Sequence, residues 1–195
     1  MPPSLFSCWG SQLDNPIYMK PENLITLSEN FFHTLSQERV YFMELKQSQD
    51  IPLPVDKVWS ALNDDQILAQ AIPGCQELTK ISDTELTAKV KLKVGPVSAT
   101  FNGEVILSEV SPPHSYMISG TGKGGVAGSA TGSARVELEA IDNGSATRLT
   151  YDVDAAVTGK IAQLGSRLIE STAKKLATKF FTDFIAILLP ESEQS

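Results

Sequence analysis

The sequence predicts an α+β domain in which an antiparallel meander packs against one long C-terminal helix, and three features carry that prediction. After Pro73-Gly74 the chain reads for about 80 residues as strand after strand joined by short turns. From Lys160 to Leu189 it holds no proline and repeats apolar residues every four positions. Between the first strand and the meander, two stretches bounded by breakers have room only for short helices. Connections this short exclude parallel crossovers, which need about a dozen residues, so neighbouring strands alternate in direction and a doubly wound parallel sheet is excluded.

Residues 1–42 mix Pro, Ser, Asn and Gln with scattered aromatics and sustain neither a strand nor a helix period, so they read as an appendage. Within them Leu24 to Tyr41 suits one short helix, with Leu27, Phe31, Phe32 and Leu35 at helical spacing but with poor caps. Met43 opens the organised domain, residues 43–189, and makes what precedes it a leader or an upstream start. MELKQSQD alternates as the first strand, and Pro52 and Pro54 stop it. Asp56 stands as an N-cap for a helix over 55–63, and Asp64 or Asp65 starts a second that runs through Ile72. Ser82-Asp83, Gly95-Pro96, Ser111-Pro112-Pro113 and Asp142-Asn143-Gly144 then punctuate the strands. The final helix, Lys160 to Leu189, has a length of about 45 Å. Leu164, Leu168, Leu176, Phe180 and Phe184 form one row on it, and Ile161, Ile169, Ala177, Phe181 and Ile185 the next, so its apolar face needs the sheet as cover. Residues 190–195 are a short acidic tail.

With 42% hydrophobic and 20% charged residues over 195 positions, the chain is globular and can bury one sizeable core. Sixteen Lys and Arg against 23 Asp and Glu leave a charge of −7, which works against nucleic-acid binding. Cys8 and Cys75 cannot make a disulfide framework, and His33 and His114 give no zinc spacing. MPPSLFSCWG lacks the charged start of a secretory signal, and the densest apolar run, Phe180 to Leu189, falls short of the roughly 20 residues that span a bilayer. The expected location is the cytoplasm.

Strand alternation assigns an inner face. Val90 and Leu92 on one strand, Ala99, Phe101, Gly103 and Val105 on the next, Tyr116 and Ile118, Ala134, Leu138 and Ala140, and Tyr151, Val153 and Ala155 point towards the helix, while Lys89, Lys91, Lys93, Glu104, Arg135 and Asp152 point to solvent. A curved sheet closing on one helix leaves a cavity, and small inward residues enlarge it, unless Phe180 and Phe184 fill the room. The expected lining is Val90, Leu92, Ala99, Phe101, Val105, Tyr116, Ile118, Leu138, Tyr151 and Val153, with Leu168 and Phe180 from the helix. Tyr116 and Tyr151 are the only polar handles in this set, His114 sits in a Pro-Pro-His turn and Cys75 follows Pro-Gly, so no catalytic constellation is expected.

GTGKGGVAGSATGS, Gly120 to Ser133, resembles a phosphate loop only in composition: Lys123 is followed by glycines and the chain continues as strand, with no helix to aim amides at a phosphate. It reads as a flexible hairpin, with Gly122, Lys123, Gly124, Gly125 and Val126 as a partner-docking or cavity-entrance surface.

IPLPVDKVWSALND, AIPGCQEL, VKLKVGPVSATFNGEV, GTGKGGVAGSATGSARVEL and TGKIAQLGSRLIESTAKKLATKFF occur in that order. In these segments residues 43–189 resemble the family of CoxG, a carbon monoxide dehydrogenase subunit, within the SRPBCC, or START/Bet v 1-like, superfamily. The first segment marks the superfamily; the set in order is specific to the CoxG family. The resemblance implies a helix-grip fold, a seven-stranded antiparallel sheet wrapped around the long C-terminal helix with two short helices after strand one. It further implies a non-catalytic accessory protein of a molybdenum hydroxylase of the carbon monoxide dehydrogenase type. Such a protein carries a hydrophobic small molecule such as a quinone or lipid, or recruits the enzyme to the membrane, and binds no metal or cofactor itself. Some family members bear an extra tail for membrane contact, whereas this sequence ends in PESEQS, an acidic segment that anionic head groups repel, so transient contact at the inner face of the membrane is expected. Phe31, Phe32, Tyr41 and Phe42 are the alternative contacts. Two other readings stay open: a polyketide cyclase or dehydratase-like enzyme using the same cavity, and a scaffold or maturation protein with a filled core.

Overall fold

The structure, a computed structural model, describes residues 39–189. The helix expected from Leu24 onwards falls outside them up to Glu38, and Tyr41, its expected last residue, is already strand. β1 spans Tyr41–Ile51, two residues ahead of Met43, because the alternation of covered and exposed side chains begins at Tyr41. α1 (Val55–Leu62) and α2 (Asp65–Ala71) follow, then β2 (Cys75–Lys80), β3 (Glu85–Val94), β4 (Val97–Ser111), β5 (Ser115–Lys123), β6 (Ser129–Ile141) and β7 (Ala146–Val157). α3 (Gly159–Ala162) and α4 (Ser166–Leu188) close the described chain. The strands form one antiparallel sheet in the order β1-β7-β6-β5-β4-β3-β2, so the expected seven-stranded meander is present and β1 joins it beside the last strand.

Two local expectations are corrected. Asp56 does not cap α1: Pro54 takes that position without a side-chain bond, its φ of −58° already set by the ring, and Asp56 lies inside the first turn. Asp64 does cap α2, accepting from the amides of Gln66 at 2.9 Å and Ile67 at 3.2 Å. The long helix is not continuous over Lys160 to Leu189. Gly165, at φ +88°, turns the chain between α3 and α4, leaving a main helix of 23 residues, about 35 Å long.

α4 runs along the inner face. Phe184, fully buried, stacks on Phe180 with ring centroids 5.6 Å apart, and such burial is worth about 2 kcal/mol. At the other end of the helix the Tyr41 hydroxyl donates to Glu170 Oε1 at 2.6 Å, fastening α4 to the edge strand, and hydrogen bonding to that carboxylate raises the Tyr41 pKa. Buried Thr147 donates to the Leu53 carbonyl at 2.6 Å and holds the proline segment against β7. The outer face carries the charges that alternation assigns to it, including the pairs Lys46–Asp152 (3.2 Å), Arg135–Glu109 (3.0 Å) and Arg148–Asp50 (2.8 Å). Exposed pairs of this kind add little stability. Ala140, expected inside, is exposed, because it sits at the end of β6 near the turn into β7.

Candidate functional site

Buried apolar side chains fall into two groups at opposite ends of the sheet. Ile51, Val58, Leu62, Leu138, Leu149 and Phe184 belong to the core closed by α1 and α2. Val94, Phe101, Ala127, Val157, Ile161 and Ile169 form the second, under the β5–β6 hairpin and α3. Val90 and Val105 lie between the two, half-buried, and belong to neither.

The register sets small residues between the two groups. Ala88, Gly103, Gly122 and Ala130 lie opposite one another on one rung of the inner face, and Leu86, Val105, Gly120, Gly132 and Ala155 on the next. All but two of these positions are Gly or Ala, so the sheet presents bare backbone to α4 where other sheets present Leu or Ile. At Gly132 even a Cβ is excluded, since it would lie 2.6 Å from the Asp154 carbonyl oxygen. The glycine-rich segment that looked like a phosphate loop supplies, in the folded chain, Gly120, Gly122, Ala130 and Gly132 of this floor of small residues.

The expected lining residues divide accordingly. Val90, Leu92, Ala99, Val105, Ile118 and Val153 are half-buried on the inner face; Ile118 and Val153 pack against the first core and Leu92 and Ala99 against the second, which leaves Val90 and Val105 between them. Phe101, Tyr116 and Leu138 are buried within the closed cores: a Cβ on Gly124 would lie 2.5 Å from the Phe101 ring, and Tyr116 meets Trp59 edge-on at 5.4 Å. Leu168 covers the β3–β4 turn, where a Cβ on Gly95 would come within 2.6 Å of it, and Phe180 packs between Phe181 and Phe184. Of the expected docking residues, Lys123, Gly125 and Val126 are exposed, whereas Gly122 and Gly124 serve the interior. The hairpin is also no loose loop. Gly125–Ala127 form a 3₁₀ turn, Ala127 is buried, and Thr158 bonds Ser129 through its amide at 2.8 Å and its hydroxyl at 2.8 Å.

The two tyrosines are not the only polar groups inside. Tyr151 donates to Gln47 Oε1 at 2.6 Å and stacks on Phe181 at 5.4 Å, and burial raises its pKa. Gln47 was missed, although strand parity puts it in the row of Tyr41, Met43 and Leu45; its amide hydrogens remain for a ligand acceptor. Burial pushes the Tyr116 phenol far above its ordinary range, so it is a neutral donor and not a base, and among the described residues its hydroxyl makes no hydrogen bond. Between β1 and α4 lies a cleft of about 220 Å³, lined by Met43, Glu44, Leu45, Lys46, Gln47, Glu170 and Lys174. A wider hollow of about 610 Å³ lies along the β1 edge, but Arg148, Asp50 and Lys46 make it a charged surface groove unsuited to an apolar guest.

Among the described residues no group of three His, Cys, Asp or Glu side chains is placed to hold a metal, and no helix is long and apolar enough to cross a membrane. The family model for the CoxG subunit of carbon monoxide dehydrogenase matches residues 48–188, which include the second core, all of the first but Leu45, and the glycine floor. The chain belongs to the CoxG family. No curated protein matches this CoxG chain. A solved structure of a conserved protein from Geobacillus kaustophilus is 28% identical, with a TM-score of 0.71 over 75% of this chain and 95% of that one. A START superfamily protein from Mycobacterium smegmatis is 11% identical (TM-score 0.56; 74% of this chain, 95% of that one). Norcoclaurine synthase from Thalictrum flavum, in truncated form, is 14% identical (TM-score 0.56; 81% and 100%). The last two share only the fold, and that fold is the START/Bet v 1-like helix grip expected of a CoxG chain.

Proposed function

We propose that the protein carries a hydrophobic small molecule, a quinone or a lipid, for a molybdenum hydroxylase of the carbon monoxide dehydrogenase type. The observation that carries the reading is the divided core: Val90 and Val105 on the inner face pack into neither closed cluster, and beyond Val105 its rung continues as Gly120, Gly132 and Ala155, the proposed gap. An apolar guest in that gap completes the contacts which the chain leaves unmade. A carbonyl oxygen on the guest can accept from the Gln47 amide, which Tyr151 orients. Family membership supports the enzyme partner, and bringing that enzyme to a membrane is the accompanying proposal. A cyclase-like enzyme is the second reading; it draws on the Tyr151–Gln47 pair beside the gap, but neither tyrosine is tuned towards a base, since both pKa values are raised.

Native mass spectrometry of protein purified from its own host, followed by organic extraction, tests this. The expected result is one quinone or lipid per chain. A protein that arrives empty and takes up no added quinone overturns the carrier reading.

A further inference from the structure

Antiparallel register gathers four distant segments at one end of the molecule: the start of β1 (39–43), the β3–β4 turn (91–98), the β5–β6 hairpin (121–130) and the corner from β7 into α4 (155–167). Val157 lies opposite both Tyr41 and Ala130, Lys123 opposite Ser129, and Val94 opposite Val97. These segments contain Arg39, Lys91, Lys93, Lys123, Lys160 and Arg167 and not one Asp or Glu. The rest of the described chain holds nine Lys and Arg against 17 Asp and Glu. All six cations are exposed, and none takes part in an ion pair among the described residues. The two most exposed large apolar side chains described, Val126 at 84% and Phe42 at 74%, stand at the same end, with Val40 beside them.

We infer that this end is a docking face for an anionic phospholipid bilayer, with Val126 and Phe42 entering the head-group layer and the six cations facing its charge. Apolar tips that stand singly, with cations between them, fit shallow membrane insertion; the centre of a protein interface is depleted of charge. The acidic remainder is repelled by the same surface, so the field orients the approaching molecule. The inference rests on the proposed membrane contact and is independent of any cargo.

The test is co-sedimentation of the full chain with vesicles of phosphatidylcholine alone or with about one third phosphatidylglycerol. Binding is expected to the anionic vesicles only, weakening as salt rises. A basic residue near such a surface contributes about fivefold in affinity, so Lys123→Glu combined with Lys160→Glu lowers binding by at least about tenfold. Val126→Asp weakens it too, while Ile81→Asp, at another exposed apolar side chain (60%) at the opposite end, leaves it unchanged. Quinone uptake in vesicle-free solution stays at the wild-type level in all three variants, which separates this face from the carrier reading. Absence of vesicle binding, equal binding to neutral vesicles, or full binding by the double charge variant overturns the inference. So does a double variant that loses only the hydroxylase, since the face would then belong to an acidic protein.

Discussion

Replacing Val105 with Phe should raise stability, and the sign of the effect separates an open gap from a solid core. Val105 is half-buried; opposite it stand Leu86 on one side and Gly120 on the other, where even an added Cβ would remain 3.6 Å from its Cγ2. A phenyl ring therefore has room over the glycine floor. It buries roughly 40 Å² more apolar surface, worth ~1 kcal/mol at about 25 cal/mol/Å². For a chain of this size that raises Tm by about 2–4 °C. In a filled core the same change overpacks and costs ~1–3 kcal/mol, moving Tm down. Thermal unfolding gives the sign, and a titration with a soluble quinone should show at least about a tenfold loss of affinity, because the ring occupies the guest's place. A lower Tm with undiminished quinone uptake would refute both the gap and its contents.

Three further outcomes follow from described contacts. Gly128→Ala should destabilise by at least ~2 kcal/mol, because φ is +114° and the new Cβ would lie 2.0 Å from the Thr158 oxygen; Gly125→Ala, at φ +59° with nothing within 4 Å, should cost only ~1 kcal/mol, and equal urea midpoints would sink this account of the hairpin. The Arg148 guanidinium holds the Asp50 carboxyl below its ordinary range, and a lowered carboxylate pKa stabilises above the unfolded value and ceases to as pH falls through the folded one. Asp50→Asn should accordingly lower Tm at neutral pH, by an amount that starts to shrink near about pH 4, the ordinary carboxylate range, and is lost as pH falls further through the lowered folded-state value; thermal melts down through that window check it. Tyr151→Phe keeps the stack on Phe181 but loses the bond to Gln47, so stability should fall by ~1 kcal/mol and quinone affinity a few-fold, while a pure hydrocarbon probe binds unchanged; turnover that disappears with binding intact would favour the enzyme instead.

The sheet was legible because its signals are local: period-two alternation from Leu86 to Val157 and turn residues such as Asp142-Asn143-Gly144 act within a few positions. The break before α4 was not. A single glycine inside a helical pattern is usually tolerated, and only the corner that carries α3 away from α4 demands the left-handed conformation of Gly165. The hairpin was expected to be flexible because its composition is glycine-rich, whereas its order comes from Thr158, 29 positions away from Ser129. Small inward residues were visible one strand at a time, but the bare floor exists only once β3 to β7 are in register. Gln47 was within reach of parity alone; β1 has a largely polar sequence, which hid its apolar row.

The place of β1 in the sheet sets an order for folding. β2 to β6 are each paired to the next strand in sequence, so that part can grow by local hairpins. β1, the first strand described, has β7 as its only strand neighbour, and the side-chain bonds that join them link residues 98 to 106 positions apart. At about 5–20 residues per second, ribosomal synthesis leaves β1 without its partner for roughly 5–20 s. Throughout that interval its backbone groups and the row of Tyr41, Met43, Leu45 and Ile51 are open to other chains. The opposite row, with Glu44, Lys46 and Asp50, places a charge within a few residues of each of them and acts as a gatekeeper against pairing with a second nascent chain. The earliest of the described strands is the last to be joined, and its charges guard it while it waits.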